Sequence, residues 1–178
     1  MIDVSVRLLA NWAAVATHGV NDIAATIPRK NLNSAQDDEA PPSVAFFADS
    51  DDEGTAEELD PPEVPALVFW GDADASVQRK GGLNVIAKQV RFAAGYVTDS
   101  SADALTAIRN CGYILRAGRI SFMSRFNSLT LSKDYRELNG VRILSIDEVN
   151  EHRVTVAVGK RKMWGFLEIK ATVIDTLS

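Results

Sequence analysis

Between Asn31 and Gln78 there is no lysine or arginine. Cysteine is almost missing from the whole chain: Cys111 stands alone, which excludes a disulfide framework within it. With only two histidines beside that cysteine, a closed zinc site lacks its four nitrogen or sulfur ligands. No apolar run approaches the eighteen or so residues that cross a bilayer, and Met1-Ile2-Asp3-Val4 leads into no basic region followed by a long apolar one. A soluble chain made in a cytoplasm, without a membrane partner, is the expectation.

Signatures of chemistry are missing as well. Gly-x-Ser-x-Gly does not occur, so no sharp turn is marked out to present a nucleophile to a histidine. Val158-Gly159-Lys160-Arg161 has the Gly-Lys of a phosphate loop, but arginine stands where the metal-binding hydroxyl belongs and Val154 where the first glycine belongs. Gly81-Gly82 reads as a turn rather than a dinucleotide fingerprint. His18 reads as a helix-end residue, His152 as part of a Glu151-His152-Arg153 turn, and Cys111 as a small core hydrophobe. No catalytic, cofactor or metal-ligating set is expected.

What the chain has is acid, concentrated in one place. Asn31 to Gln78 holds thirteen Asp and Glu, leaving eleven acids to face all nineteen bases elsewhere. The net charge of -5 thus divides into a segment at -13 and a remainder at +8. Such a division suits a subunit that docks onto copies of itself or presents one sign to a polyanion. An EF-hand loop begun at Asp49 places Asp51, Glu53 and Gly54 correctly, but Asp60 stands where the closing Glu belongs. Pro61-Pro62 then leaves no room for an exiting helix, which favours a solvated acidic loop.

At 178 residues, 46% hydrophobic and 24% charged, the chain has material for one core, and a single domain over 1–178 with an acidic insertion at about 31–63 is expected. Asp3 is a plausible cap for a helix with Leu8, Leu9, Trp12, Val15 and Ala16 on one face, stopped at Gly19. Val44 to Phe47 reads as a short strand within the excursion, and Ala66 to Trp70 as another. Val85 to Thr98 alternates, with Ile86, Val90, Phe92, Ala94 and Tyr96 on one face. Ser100 or Ser101 is expected to cap a helix with Leu105, Ile108, Cys111, Gly112 and Leu115 inward and Gly118 at its end.

The last third reads as sheet. Ile120, Phe122 and Phe126 alternate, Asn139-Gly140 turns a hairpin, and Val154, Val156 and Val158 alternate again. A final strand from Met163 to Val173 carries Met163, Leu167, Ile169, Ala171 and Val173 on one face, with Trp164 and Phe166 on the other. Gly159 to Lys162 is a basic, solvent-facing tip. The order predicts α+β: two helices packed on a largely antiparallel or mixed sheet, with a long acidic loop insertion.

That order resembles the tail terminator, or tail-completion, family of long-tailed bacteriophages. The likeness lies in an amino-terminal helix at Val4 to His18, proline-flanked strand material at Pro65 to Trp70 and a long strand at Val85 to Thr98. An Ala/Leu-rich helix at Ala102 to Ala117 follows, then hairpins ending in Met163 to Val173. It spans most of the chain outside residues 31 to 63.

The resemblance implies a noncatalytic virion protein at the head-tail junction, synthesised in the host cytoplasm. Its ring, commonly a hexamer, caps the tail tube and joins the neck or connector protein of the head while genomic DNA passes without sequence-specific binding. The partners implied are copies of the chain itself, tail tube protein and neck protein; no cofactor is implied. The acidic insertion departs from the family pattern, and either a channel-facing or an intersubunit position is open to it.

Candidate contacts with a neighbour are Asp49, Asp51, Asp52, Glu53, Glu57 and Glu58 on the acidic side. On the basic side they are Arg109, Arg116, Lys160, Arg161 and Lys162, with Trp164. Another head-tail connector protein, or a nucleic-acid-binding module using Arg109, Arg116, Arg119, Arg125 and the 160–162 tip, is the alternative. A carboxylate-metal enzyme centred on the acidic segment ranks below both.

Overall fold

A computed structural model of the chain describes residues 2–28, 41–48, 60–79, 86–128 and 133–175. The fold is α+β, with three α-helices and a seven-stranded mixed sheet that does not close among the described residues. Helices α1 (Ile2–Ala13) and α2 (Val20–Thr26) come first, then β1 (Ala45–Ala48), β2 (Ala66–Arg79) and β3 (Ile86–Asp99). Helix α3 (Ala104–Ile120) leads into a π-helical turn, Ser121–Phe126. Strands β4 (Glu137–Leu138), β5 (Val141–His152), β6 (Val156–Val158) and β7 (Arg161–Asp175) complete the chain. The sheet order is β1-β2-β3-β7-β5-β4, with β6 also on β7; β1 runs parallel to β2 and every other pair is antiparallel.

Alternation decides which side of the sheet the helices cover. Val90, Phe92, Ala94 and Tyr96 of β3 bury into the same core as Leu167, Ile169, Ala171 and Val173 of β7. Leu9 and Trp12 of α1, with Cys111, Ile114 and Leu115 of α3, close that core from above. Each fully buried large side chain there contributes about 1.5–3 kcal/mol relative to its exposed state. A smaller cluster of Ala66, Val68, Val97, Val158 and Met163 covers one end of the opposite face. Both faces near Trp164 and Phe166 are therefore covered, but Met163 lies across the sheet from Leu167.

The reason for that reversal is an irregular pairing. Tyr96 pairs with Gly165 and the next residue, Val97, with Met163, so β7 carries Trp164 as one extra residue against β3 and the side-chain alternation slips. A Cβ on Gly165 would lie 2.8 Å from the His152 carbonyl oxygen and 3.1 Å from Cys111 Sγ, so only glycine lets α3 seat here. His152 is the last residue of β5 rather than part of a turn, and Val154 lies between strands.

Several helix boundaries differ from the sequence expectation. Helix α1 begins before Asp3, which is thus inside it, and ends at Ala13 rather than near Gly19. His18 then takes the left-handed conformation at φ 74, and Gly19 starts a second helix that periodicity did not reveal. Asp103, not Ser100 or Ser101, caps α3: its carboxylate accepts the Thr106 N–H at 2.9 Å. That backbone hydrogen bond is the main reason the Asp103 carboxyl is held below its ordinary range. Gly118 is buried inside α3 and ends nothing.

The stretch from Ile120 to Phe126 is helical rather than strand. Phe122 and Phe126 are four residues apart and both fully buried, which suits a helical turn as readily as alternation does. Its end is fixed by Asn127, whose amide exchanges hydrogen bonds with the backbone of Ile146, donating at 2.9 Å and accepting at 3.0 Å. Asn21 does the same for Val44 at 3.1 Å in each direction, fixing the approach to β1. Each side-chain amide supplies the donor and acceptor that a neighbouring strand would. Asn139 and Gly140, at φ 51 and 80, form the hairpin turn their sequence specifies.

Candidate interaction surface

Helix α3 packs against α2 and over β7, β5 and β3, and the face that carries Leu105, Ile108 and Arg116 is exposed. Cys111, Ile114 and Leu115 point inward, whereas Leu105 and Ile108 are 80% and 50% exposed, contrary to the inward stripe expected of them. Capping at Asp103 leaves Leu105 in the first turn, beyond the edge of the core. Steps of three and four residues join Leu105, Ile108, Arg109, Gly112 and Arg116 into one stripe. Its middle forms a shallow depression of about 340 Å³, lined by Ile108, Arg109, Tyr113, Arg116, Glu151 and Arg153 among others.

The depression exists because Gly112 lacks a side chain. A Cβ there would meet Arg153 Nη1 at 3.3 Å, so the segment linking β5 and β6 lies against the helix. Arg153 in turn donates to Glu151 at 3.1 Å. Arg109 and Arg116 are thus brought together on one surface, as basic candidates. Helix α3 carries three arginines and no acidic residue along its length.

The second basic candidate, the 160–162 tip, is partly engaged within the chain. Arg161 pairs through Nε with Asp60 at 3.2 Å and through Nη1 with Asp99. Asp60 closes the acidic excursion, so the boundary of that excursion is tied to the base of the β6–β7 hairpin. Lys162 Nζ sits 4.4 Å from the centre of the Trp164 ring, and Trp164 donates its indole N–H to Thr98 Oγ1 at 2.8 Å. At 5% exposure Trp164 packs with the core, which leaves its ring little surface for a partner. Lys160 occupies the turn itself and is exposed. Asp49, Asp51, Asp52, Glu53, Glu57 and Glu58 lie outside the described residues.

The face of the sheet away from the helices carries a polar ladder that sequence reading did not anticipate. Lys170 donates to Glu148 at 2.6 Å, Thr172 to Asp147 at 2.7 Å, and His152 meets Glu168 at 3.0 Å while stacking on Phe166. Hydrogen bonds from Lys170 and then Asn150 hold the Glu148 carboxyl below its ordinary range. Its contribution to stability is present above the ordinary carboxylate pKa and fades as pH falls through the lowered value. Lys170 and Glu148 are directly opposed across β5 and β7, the other two contacts are diagonal, and alternation alone does not reveal which strands adjoin.

Cys111 and the histidines take structural positions. Burial pushes the Cys111 thiol up to about 12, with nearby Arg153 opposing and Glu151 adding to the effect. The native thiol should therefore react with a disulfide reagent at pH 8 roughly a thousandfold more slowly than the unfolded chain's. Thiol titration in buffer and in guanidinium checks this; similar rates would place Cys111 nearer the surface. His18 donates its backbone N–H to Asp22 at 3.0 Å and accepts from Ser121 Oγ at 2.7 Å through its carbonyl.

Among the described residues no three His, Cys, Asp or Glu side chains gather as a metal site, and no helix is long and apolar enough to cross a membrane. No protein-family model and no curated protein matches the chain.

Proposed function

We propose that the chain is a noncatalytic structural subunit of a phage head-tail junction, a tail terminator whose ring caps the tail tube and joins the neck while DNA passes through. The observation that carries this reading is the charge division. Helix α3 presents Leu105, Ile108 and Arg116 outward with Arg109 half-buried beside them, while thirteen acids occupy one segment of the same chain. A surface and its complement carried by one chain favour head-to-tail contacts between copies, which close into a ring when the rotation closes. The order of elements, outlined above as a likeness to the terminator family, supplies the setting; another connector protein of the junction fits the same surface.

Two experiments test it. Added to polymerising tail tube protein, the chain should stop elongation at defined ends; unchanged tube lengths would remove the terminator reading. Reversing Lys160, Arg161 and Lys162 to Glu together should impair assembly with unchanged circular dichroism, since exposed pairs such as Arg161 with Asp60 contribute only about 0–1 kcal/mol. Unchanged assembly would take the tip out of the interface.

A nucleic-acid-binding module is the second reading, favoured by Arg116 and Arg119, both exposed on α3. It predicts DNA affinity whose logarithm falls with log salt by about 0.9 for each phosphate contacted. A flat salt dependence, or no binding at low salt, removes it.

A further inference from the structure

The outward stripe of α3 has a chemistry specific enough to name its occupant. It offers apolar side chains at Leu105 and Ile108, then a shallow basic depression flanked by Arg116 and Arg153. A matching ligand is an acidic peptide with an apolar residue at one end. Residues 49–59 read Asp-Ser-Asp-Asp-Glu-Gly-Thr-Ala-Glu-Glu-Leu, with six acids, no base and a terminal leucine.

We infer that the α3 stripe of one copy binds the 49–59 segment of a second copy, Leu59 meeting Leu105 and Ile108 while Glu57 and Glu58 meet the arginines. This rests on the self-association in the proposed function and not on its phage setting. Complementary charge sets the pairing and its salt sensitivity, while the apolar end supplies water-excluding contact that charge alone does not. The donor segment is itself bounded by described anchors: Ala48 lies in edge strand β1, and Asp60 is held by Arg161. Because the surface given and the surface received differ, the contact closes either reciprocally within a two-fold pair or head to tail, with each copy joining two neighbours.

Mixed-copy crosslinking tests the contact on the full-length chain. One preparation carries Leu105→Cys, the other Glu58→Cys, and a short bis-maleimide is added to the mixture; Cys111 is buried and stays out of the reaction. A 58–105 link between different copies is expected. Adding Arg116→Glu to the Leu105→Cys chain should lower the yield about tenfold, and Glu57→Lys in the other chain should restore part of it.

The inference is overturned if links form only within a chain carrying both cysteines, since the segment then occupies its own helix. It is also overturned if the yield in the mixture is no greater than with Ser124→Cys, an exposed position away from the stripe. Particle imaging of the same mixture separates the two readings. Rings without the link overturn this contact alone, and the link without rings overturns the ring.

Discussion

Gly19→Ala should lower stability by at least about 3 kcal/mol and the melting temperature by roughly 6–12 °C for a chain of this size. The cause is backbone meeting backbone. A Cβ on Gly19 would lie 2.2 Å from the Val15 carbonyl oxygen, 2.6 Å from that of Ala13 and 2.9 Å from the Val15 nitrogen. None of these can rotate away as a side chain does, so the turn between α1 and α2 must open by about an ångström. That turn is fixed on its other side by Ser121, which donates to the His18 carbonyl, and its movement would disturb the seat of the π-helical turn. Thermal unfolding followed by circular dichroism measures the loss, and a shift below about 2 °C would mean the turn relaxes freely.

Arg136→Met should cost about 3–5 kcal/mol even though methionine fills much of the same volume. Arg136 is 7% exposed, and its guanidinium donates to the Leu144 carbonyl at 2.7 Å and the Phe126 carbonyl at 2.9 Å, 5.3 Å from the Phe126 ring centre. Burial, and then repulsion from Arg142, holds its pKa below the ordinary arginine value. The charge remains because one planar fork joins the end of the π-helical turn to the bent edge of β5. Arg136→Lys should recover less than half of the loss, because a single ammonium cannot reproduce that fork. Chemical denaturation distinguishes these outcomes; a methionine variant as stable as the parent would show that the two carbonyls find other donors.

Sequence reading found the parts of the fold whose signals are local. Alternation in β3 follows from a strand buried on one face, and Asn139-Gly140 is a turn whose positive φ angles select those residue types. It missed what depends on neighbours. Met163 changes face because β7 has one residue more than β3 between the Tyr96–Gly165 and Val97–Met163 pairs, which no property of Met163 announces. Phe122 and Phe126 satisfy two periods at once, and the pairing of Asn21 with Val44 depends on tertiary placement. On the surface, Leu105 and Ile108 share the outward face of α3 with Arg109, Gly112 and Arg116, and their apolar side chains read as core until the buried set Ala107, Cys111, Ile114 and Leu115 fixes which face packs. Trp164, a candidate contact beside the basic tip, is packed in the core, and its indole donates to Thr98 on the adjoining strand β3.

The central claim is that this chain acts by assembling with copies of itself through oppositely charged surfaces. Mass measurement of single particles in solution, across protein concentration at low and high salt, tests it most directly. Discrete closed rings that dissociate as salt rises are the predicted result. A mass of one chain at every concentration and salt, alone and with tail tube protein present, would contradict it.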